Sequence, residues 1–80
     1  GDEYSIRGDA PIYVVNDHLD MSIPYGGDVQ TIGGYLTEIV GRIPEAGEQF
    51  ETSYGVFTVE SVSRKRIVRA HFKRNKLDGE

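Results

Sequence analysis

Residues 31–44 read Thr31-Ile32-Gly33-Gly34-Tyr35-Leu36-Thr37-Glu38-Ile39-Val40-Gly41-Arg42-Ile43-Pro44, a helix together with its own start and stop. Ile32, Tyr35, Leu36, Ile39 and Val40 recur at helical spacing and predict one apolar face. Thr31 offers a hydroxyl to the open amides of the first turn. Gly41 stands where a left-handed C-terminal residue is wanted, and Pro44 cannot continue the helix. Gly33 and Gly34 cost about 1 kcal/mol each against alanine. Two of them in one turn predict a strand or loop packed closely against the helix start.

Past Pro44 the apolar repeat changes from helical to alternating. Phe50 and Thr52 alternate with Glu51 and Ser53, and Tyr54-Gly55 predicts a turn. Phe57, Val59 and Val62 form the next strand, with a phase slip at Glu60-Ser61 that reads as a bulge. After a turn at Ser63-Arg64-Lys65, residues Ile67, Val68, Ala70 and Phe72 complete a meander. Upstream, Tyr4-Ser5-Ile6 is a brief strand ending at Gly8. Asp9 is expected to cap a helix with Pro11 in its first turn and Ile12, Val15 and Leu19 on one stripe. Val14, Val15 and Asn16 make that helix weak, so it should end near Leu19 or Asp20. Pro24 and Gly26-Gly27 mark Met21 to Asp28 as a loop. The order is β-α-α-β-β-β, an α+β fold with an antiparallel sheet and two helices on one face. Residues 4–73 form the domain, 1–3 an N-terminal remnant and 74–80 a disordered tail of mixed charge.

Eighty residues suffice for a single core. With 38% hydrophobic and 28% charged residues, the chain is an ordinary globular one rather than a disordered segment. The absence of cysteine removes disulfides and thiolate metal sites and fits a reducing, cytoplasmic setting. No apolar run has the roughly 18–20 residues a membrane helix needs, and Gly1 to Arg7 has no leader pattern. Gly1 reads as a chain cut, so any anchor is expected upstream. The net charge of −4 conceals an asymmetry, because residues 64–80 carry seven basic and two acidic side chains. That end is expected to form one positive edge.

The residues bearing chemistry do not assemble into a catalytic pattern. His18 and His71 sit on different elements without ligand spacing. Asp17, Asp20 and Asp28 do not follow the spacing of a calcium loop and are expected to be solvated. Ser22, Ser53, Ser61 and Ser63 lack a nucleophile elbow, and Gly33-Gly34 lacks the partners of a phosphate loop. No catalytic, metal or cofactor-binding residue is predicted. Arg64, Lys65, Arg66, Arg69, Lys73, Arg74 and Lys76 are the strongest charge signal, with Arg69, His71 and Lys73 expected on one exposed strand face. Without an aromatic platform or recognition helix they are expected to protect a strand edge rather than to bind nucleic acid.

One string is distinctive: Thr31-Ile32-Gly33-Gly34-Tyr35-Leu36, then Gly41-Arg42-Ile43-Pro44 and Gly47-Glu48. It resembles the transporter-associated domain called CorC/HlyC. Pro11-Ile12 through Asn16 and Leu19, then Ile23-Pro24, look like that domain's first helix and loop. Phe57-Thr58-Val59 and Arg66-Ile67 match its closing hairpin. The likeness covers roughly residues 3–73. It departs at Tyr13-Val14-Val15, where the family carries a more acidic, leucine-bearing helix, and at Ala70, where valine is common.

The resemblance implies a non-catalytic accessory domain at the C-terminal end of a membrane protein, on the cytoplasmic side of a bacterial inner membrane. Such proteins begin with a membrane region, continue through paired CBS domains, and are known as magnesium and cobalt efflux or hemolysin-like proteins. The domain also closes some cation–proton antiporters. Its fold is similar to part of the PCMH-type FAD-binding domain, which is the sole pointer to FAD; no cofactor is expected. The implied partners are the CBS and membrane domains of the parent chain, with a homodimer as a further arrangement. Arg42 is the first candidate for a salt bridge or partner contact, followed by Arg64, Arg66 and Arg69. The rival classes are a module binding FAD or adenine nucleotide, a nucleic-acid binder using residues 64–76, and a hydrolase with a polar cleft.

Overall fold

The structure, a computed structural model, describes residues 2–75. Strand β1 is Glu3–Arg7, helix α1 Ile12–Leu19, helix α2 Ile32–Val40, and strands β2, β3 and β4 are Gln49–Glu51, Gly55–Ser63 and Arg66–Arg74. The element order is the expected one. The four strands form one antiparallel sheet in the order β1-β4-β3-β2, so the first strand pairs with the last. Arg74 therefore belongs to β4. Asn75 is tied down as well, through its amide to the Tyr54 carbonyl and its side chain to the Ser53 carbonyl. The rest of the expected tail lies outside the described residues.

Alternation along the strands puts Ile6, Phe57, Val59, Ala70 and Phe72 in the core, and the helices cover them with Ile12, Val15, Leu19, Ile32 and Leu36. An aromatic row sets the register. Tyr4 lies opposite Phe72, Phe72 opposite Phe57, and Phe57 opposite Phe50, so one line of rings crosses all four strands. The Phe57 and Phe72 rings lie 4.5 Å apart, and Tyr35 of α2 meets Phe57 edge-on at 6.1 Å. A slip of one residue in any strand would turn its ring away from the core.

The expected bulge is present and has a counterpart. Val59 pairs with Ala70, Ser61 with Arg69 and Val62 with Ile67. Glu60 is thus an extra residue on β3 and Val68 an extra residue on β4. The second bulge resets the alternation: Ile67 turns inward, whereas Val68, which strict pairing would bury, is 43% exposed.

Three local expectations are corrected. Asp9 does not cap α1: the Arg7 guanidinium takes its carboxylate in a two-bond pair at 3.0 and 2.9 Å. Pro11 is the N-cap residue, without a side-chain cap, and the Ile12 amide is satisfied by the Gln30 carbonyl at 2.9 Å. Ile39 is 46% exposed instead of buried, because α2 rolls toward its glycine side and buries Ile32, Gly33 and Leu36. The remaining marks hold. Asp20 ends α1 in the left-handed region at φ 55, and Gly41 ends α2 at φ 83. Thr31 accepts from the Gly34 amide at 3.1 Å.

Two further contacts fix how the helices sit. Gly8, after β1, donates to the Val68 carbonyl and accepts from the Gly33 amide, both at 2.8 Å. A Cβ on Gly8 would fall 1.9 Å from the Ile67 carbonyl oxygen, and one on Gly33 would fall 3.0 Å from the Gly8 oxygen. The expected close approach at the helix start is therefore real and involves both partners. Independently, the Asn16 side chain of α1 accepts from the Ile23 amide at 2.9 Å and donates to the Ile23 carbonyl at 3.0 Å. It acts as a short piece of strand and pins the following loop while Ile23 enters the core.

Gly8→Ala should destabilise the domain by about 3 kcal/mol, the upper range for overpacking against an unyielding neighbour. Gly34→Ala, whose Cβ would sit 3.3 Å from the Thr31 hydroxyl, should lie within about 1 kcal/mol of wild type. Paired urea melts decide this; equal midpoints would refute the Gly8 account. Asn16→Ala strips partners from two backbone groups and should cost about 1–3 kcal/mol, checked by the same melts.

Candidate functional site

The residues of the distinctive 41–48 string build a corner between α2 and the sheet. The Gly41 amide donates to the Thr37 carbonyl at 2.8 Å, and the left-handed turn there points Arg42 back across the loop. The Arg42 guanidinium grips Glu48 with two bonds of 2.9 and 2.8 Å. Glu48 also accepts from the Glu45 amide at 2.8 Å, and buried Pro44 fills the space beneath. The corner is stitched to β3 by the Gly47 amide to the Val59 carbonyl at 2.7 Å and by the Val59 amide to the Glu48 carbonyl at 2.9 Å. Hydrogen bonding to Arg42, and next to the Glu45 amide, holds the Glu48 carboxyl below its ordinary value. The same pairing raises Arg42. Arg42 thus forms the salt bridge anticipated for it, within its own chain.

The start of α2 has the shape of an anion site, yet its amides are engaged. The Ile32 amide donates to the Ala10 carbonyl, Gly33 to the Gly8 carbonyl, Gly34 to the Thr31 hydroxyl and Tyr35 to the Thr31 carbonyl, all within 3.1 Å. A phosphate would have to displace one of these bonds before it could use the helix end. Asp9 and Asp28 also line the adjoining cleft, which adds negative charge where an anion would sit.

That cleft, about 630 Å³ and open to solvent, lies between α2 and the β3–β4 hairpin. Its basic wall is Arg7, Lys65, Arg66 and Arg69, and its apolar lining includes Ile43 and Val68. The structure thus brings together two of the four singled-out arginines, Arg66 and Arg69. Arg64 sits in the left-handed two-residue hairpin turn with Lys65, at φ 52 and 67, and Arg42 lies in the neighbouring corner. Arg69 also donates to the Ser5 hydroxyl at 3.0 Å. Arg69 and Lys73 are exposed on the outer strand face as expected, while His71 is half-buried with its ring nitrogen 2.8 Å from the Glu3 carboxylate.

His18 borders an apolar groove beside β1, and Asp20 closes α1. Among the described residues no group of three or more histidine and carboxylate side chains is placed to hold a metal ion. No buried side-chain polar atom among them lacks a hydrogen-bond partner, and no helix is long and apolar enough to cross a membrane. Sequence reasoning missed the exposure of Ile43 and Val68. Apolar residues in a strand or at a helix end predict burial, and only the offset of the two bulges reverses that for Val68.

A β-α-α-β-β-β domain with two helices and a four-stranded antiparallel sheet is the architecture of solved transporter-associated domains. The chain belongs to that family, CorC_HlyC, whose sequence pattern matches residues 1–76. This is a family of transporter-associated accessory domains rather than a known catalytic one. Solved structures agree in fold. A hemolysin domain from Enterococcus faecalis V583 is 27% identical, with a TM-score of 0.81 over 94% of this chain and 90% of that one. A region described as associated with an Mg²⁺ and Co²⁺ transporter (CorC), from Neisseria meningitidis MC58, is 21% identical, with a TM-score of 0.85 over 94% and 91%. The transporter-associated domain of a CBS domain protein from Porphyromonas gingivalis is 22% identical, with a TM-score of 0.79 over 94% and 91%. No curated protein matches the chain.

The Arg42–Glu48 contribution should be complete above the ordinary carboxylate value of 4.5 and should vanish as the pH falls through the lower folded value of Glu48. Arg42→Ala should therefore lower the Tm at neutral pH, and the gap to wild type should close in acid. Thermal melts across pH test this; a gap independent of pH would remove the clamp.

Proposed function

We propose that this domain is a non-catalytic cytoplasmic module at the C-terminal end of a membrane cation transporter of the magnesium and cobalt efflux or hemolysin-like type. It modulates transport by docking on the CBS domains of its parent chain. The docking face is the cleft between α2 and the β3–β4 hairpin. Arg66 and Arg69 meet the partner from the cleft wall and Arg64 from the adjoining hairpin turn, and Arg42 holds the corner that carries Ile43.

One observation carries this reading: the β4 bulge turns Val68 into the cleft, where it lines the same open surface as Ile43 within a rim of charged side chains of both signs. Bulges often re-aim a side chain at a functional surface. An apolar centre with a charged rim is the usual anatomy of a protein contact rather than of a small-molecule pocket. The family supports the context, as do the transporter and CBS-protein origins of domains with this fold.

Val68→Glu places a charge on an already exposed position, so the isolated domain should melt as wild type does. In the full-length parent it should weaken docking on the CBS region by about tenfold and change the cation efflux rate measured in cells. Efflux that is unaltered by Val68→Glu combined with Arg66→Glu, or by deletion of the whole domain, overturns the proposal.

A further inference from the structure

β1 ends the sheet, and among the described residues no strand pairs with its free side. The Asp2 carbonyl and the Gly8 amide both bond toward β4. By antiparallel alternation Tyr4 and Ile6 do the same, which leaves the main-chain groups of Glu3, Ser5 and Arg7 directed outward. Outward backbone groups make an edge that will accept another strand. Beside this edge runs an apolar groove of about 260 Å³, walled by Ile6, Ala10, Val14, Val15 and Leu19.

The five residues of β1, Glu3-Tyr4-Ser5-Ile6-Arg7, are complementary to themselves when reversed. We infer that two copies of this chain associate through β1, antiparallel about a two-fold axis at Ser5, to form one continuous sheet. The outward backbone groups of Ser5 then bond to those of Ser5 in the second copy, and at both ends Glu3, beside its own His71, stands opposite Arg7 of the second copy, beside its own Asp9. On the helix side, Tyr4 of the second copy lies opposite Ile6 and enters the apolar groove, an aromatic and β-branched pair of the kind that stabilises sheets. The aromatic row of each sheet would then reach the other at this pair.

Charge favours this register, because it alone sets Glu3 against Arg7 at both ends. Centring the pair on Tyr4 or Ile6 leaves Ser5 opposite a charged residue, and centring it on residue 3 or 7 sets like charges together. Parallel in-register pairing brings both like pairs together. A second copy therefore fits better than an arbitrary peptide, because the opposing charges are supplied by the same strand. Of the strand residues used here only Arg7 also lines the docking cleft, and the contact does not depend on the transport reading.

The test is sedimentation of the 80-residue chain over a concentration series, with amide hydrogen exchange as a readout that needs no variant. A monomer–dimer equilibrium is expected, with exchange at Ser5 and Arg7 slowing as concentration rises. Ser5→Pro removes an outward N–H that β4 does not use and should abolish the dimer while the monomer stays folded by thermal melt. Glu3→Arg should weaken it by about tenfold, since like charges then meet at both ends. Combining Glu3→Arg with Arg7→Glu should recover it. A monomer at every concentration, or a dimer indifferent to both Ser5→Pro and Glu3→Arg, overturns the inference.

Discussion

Everything in this domain is arranged around the space a side chain would occupy at Gly8. Its backbone is shared by three elements: it ends β1, bonds to β4 through Val68, and receives the first glycine of α2. The Ile67 carbonyl occupies the place where a Cβ would stand. Because atoms cannot overlap, the approach is possible only with glycine, and from it follow the seat of α2 and the attachment of the first strand to the last.

The same contact shapes the chemistry. Drawing Gly33 onto Gly8 uses an amide that would otherwise face solvent at the helix start, and Ala10 and Thr31 use the amides on either side. A helix end that in other proteins receives phosphate is here spent on tertiary structure. Val68, whose carbonyl turns to Gly8, is also the bulged residue whose side chain leaves the core. Close packing at one point thus fills the anion-like site, and it meets β4 at the residue whose side chain the bulges turn outward.

The corner at residues 41–48 shows how a family signature can be architectural. From sequence Arg42 is open to a salt bridge or to a partner, and Glu48 holds it from six positions along the chain, through a turn that Gly41 and Pro44 make possible. Sequence spacing could suggest the pair without establishing it, since charges that far apart in a loop meet only if the backbone reverses between them. Arg66 and Arg69 likewise come to face one cleft with Arg7 because β1 pairs with β4, a pairing between opposite ends of the chain.

By itself, the sequence determined the number, kind and order of the elements, the C-terminal ends of both helices, the β3 bulge and the family, because these depend on local periodicity, capping and turn chemistry. It also specified the twelve-fifteen-nineteen stripe of α1, which the structure buries as Ile12, Val15 and Leu19. Tertiary structure decided the rest: that Asp9 answers to Arg7 instead of capping a helix, that Asn16 clamps Ile23, that Ile39 stays at the rim, and that Val68 faces outward. Each of those outcomes turns on competition between partners distant in sequence or on the roll of one element against another. A local pattern ranks the options open to a residue, and only the packed neighbours choose among them.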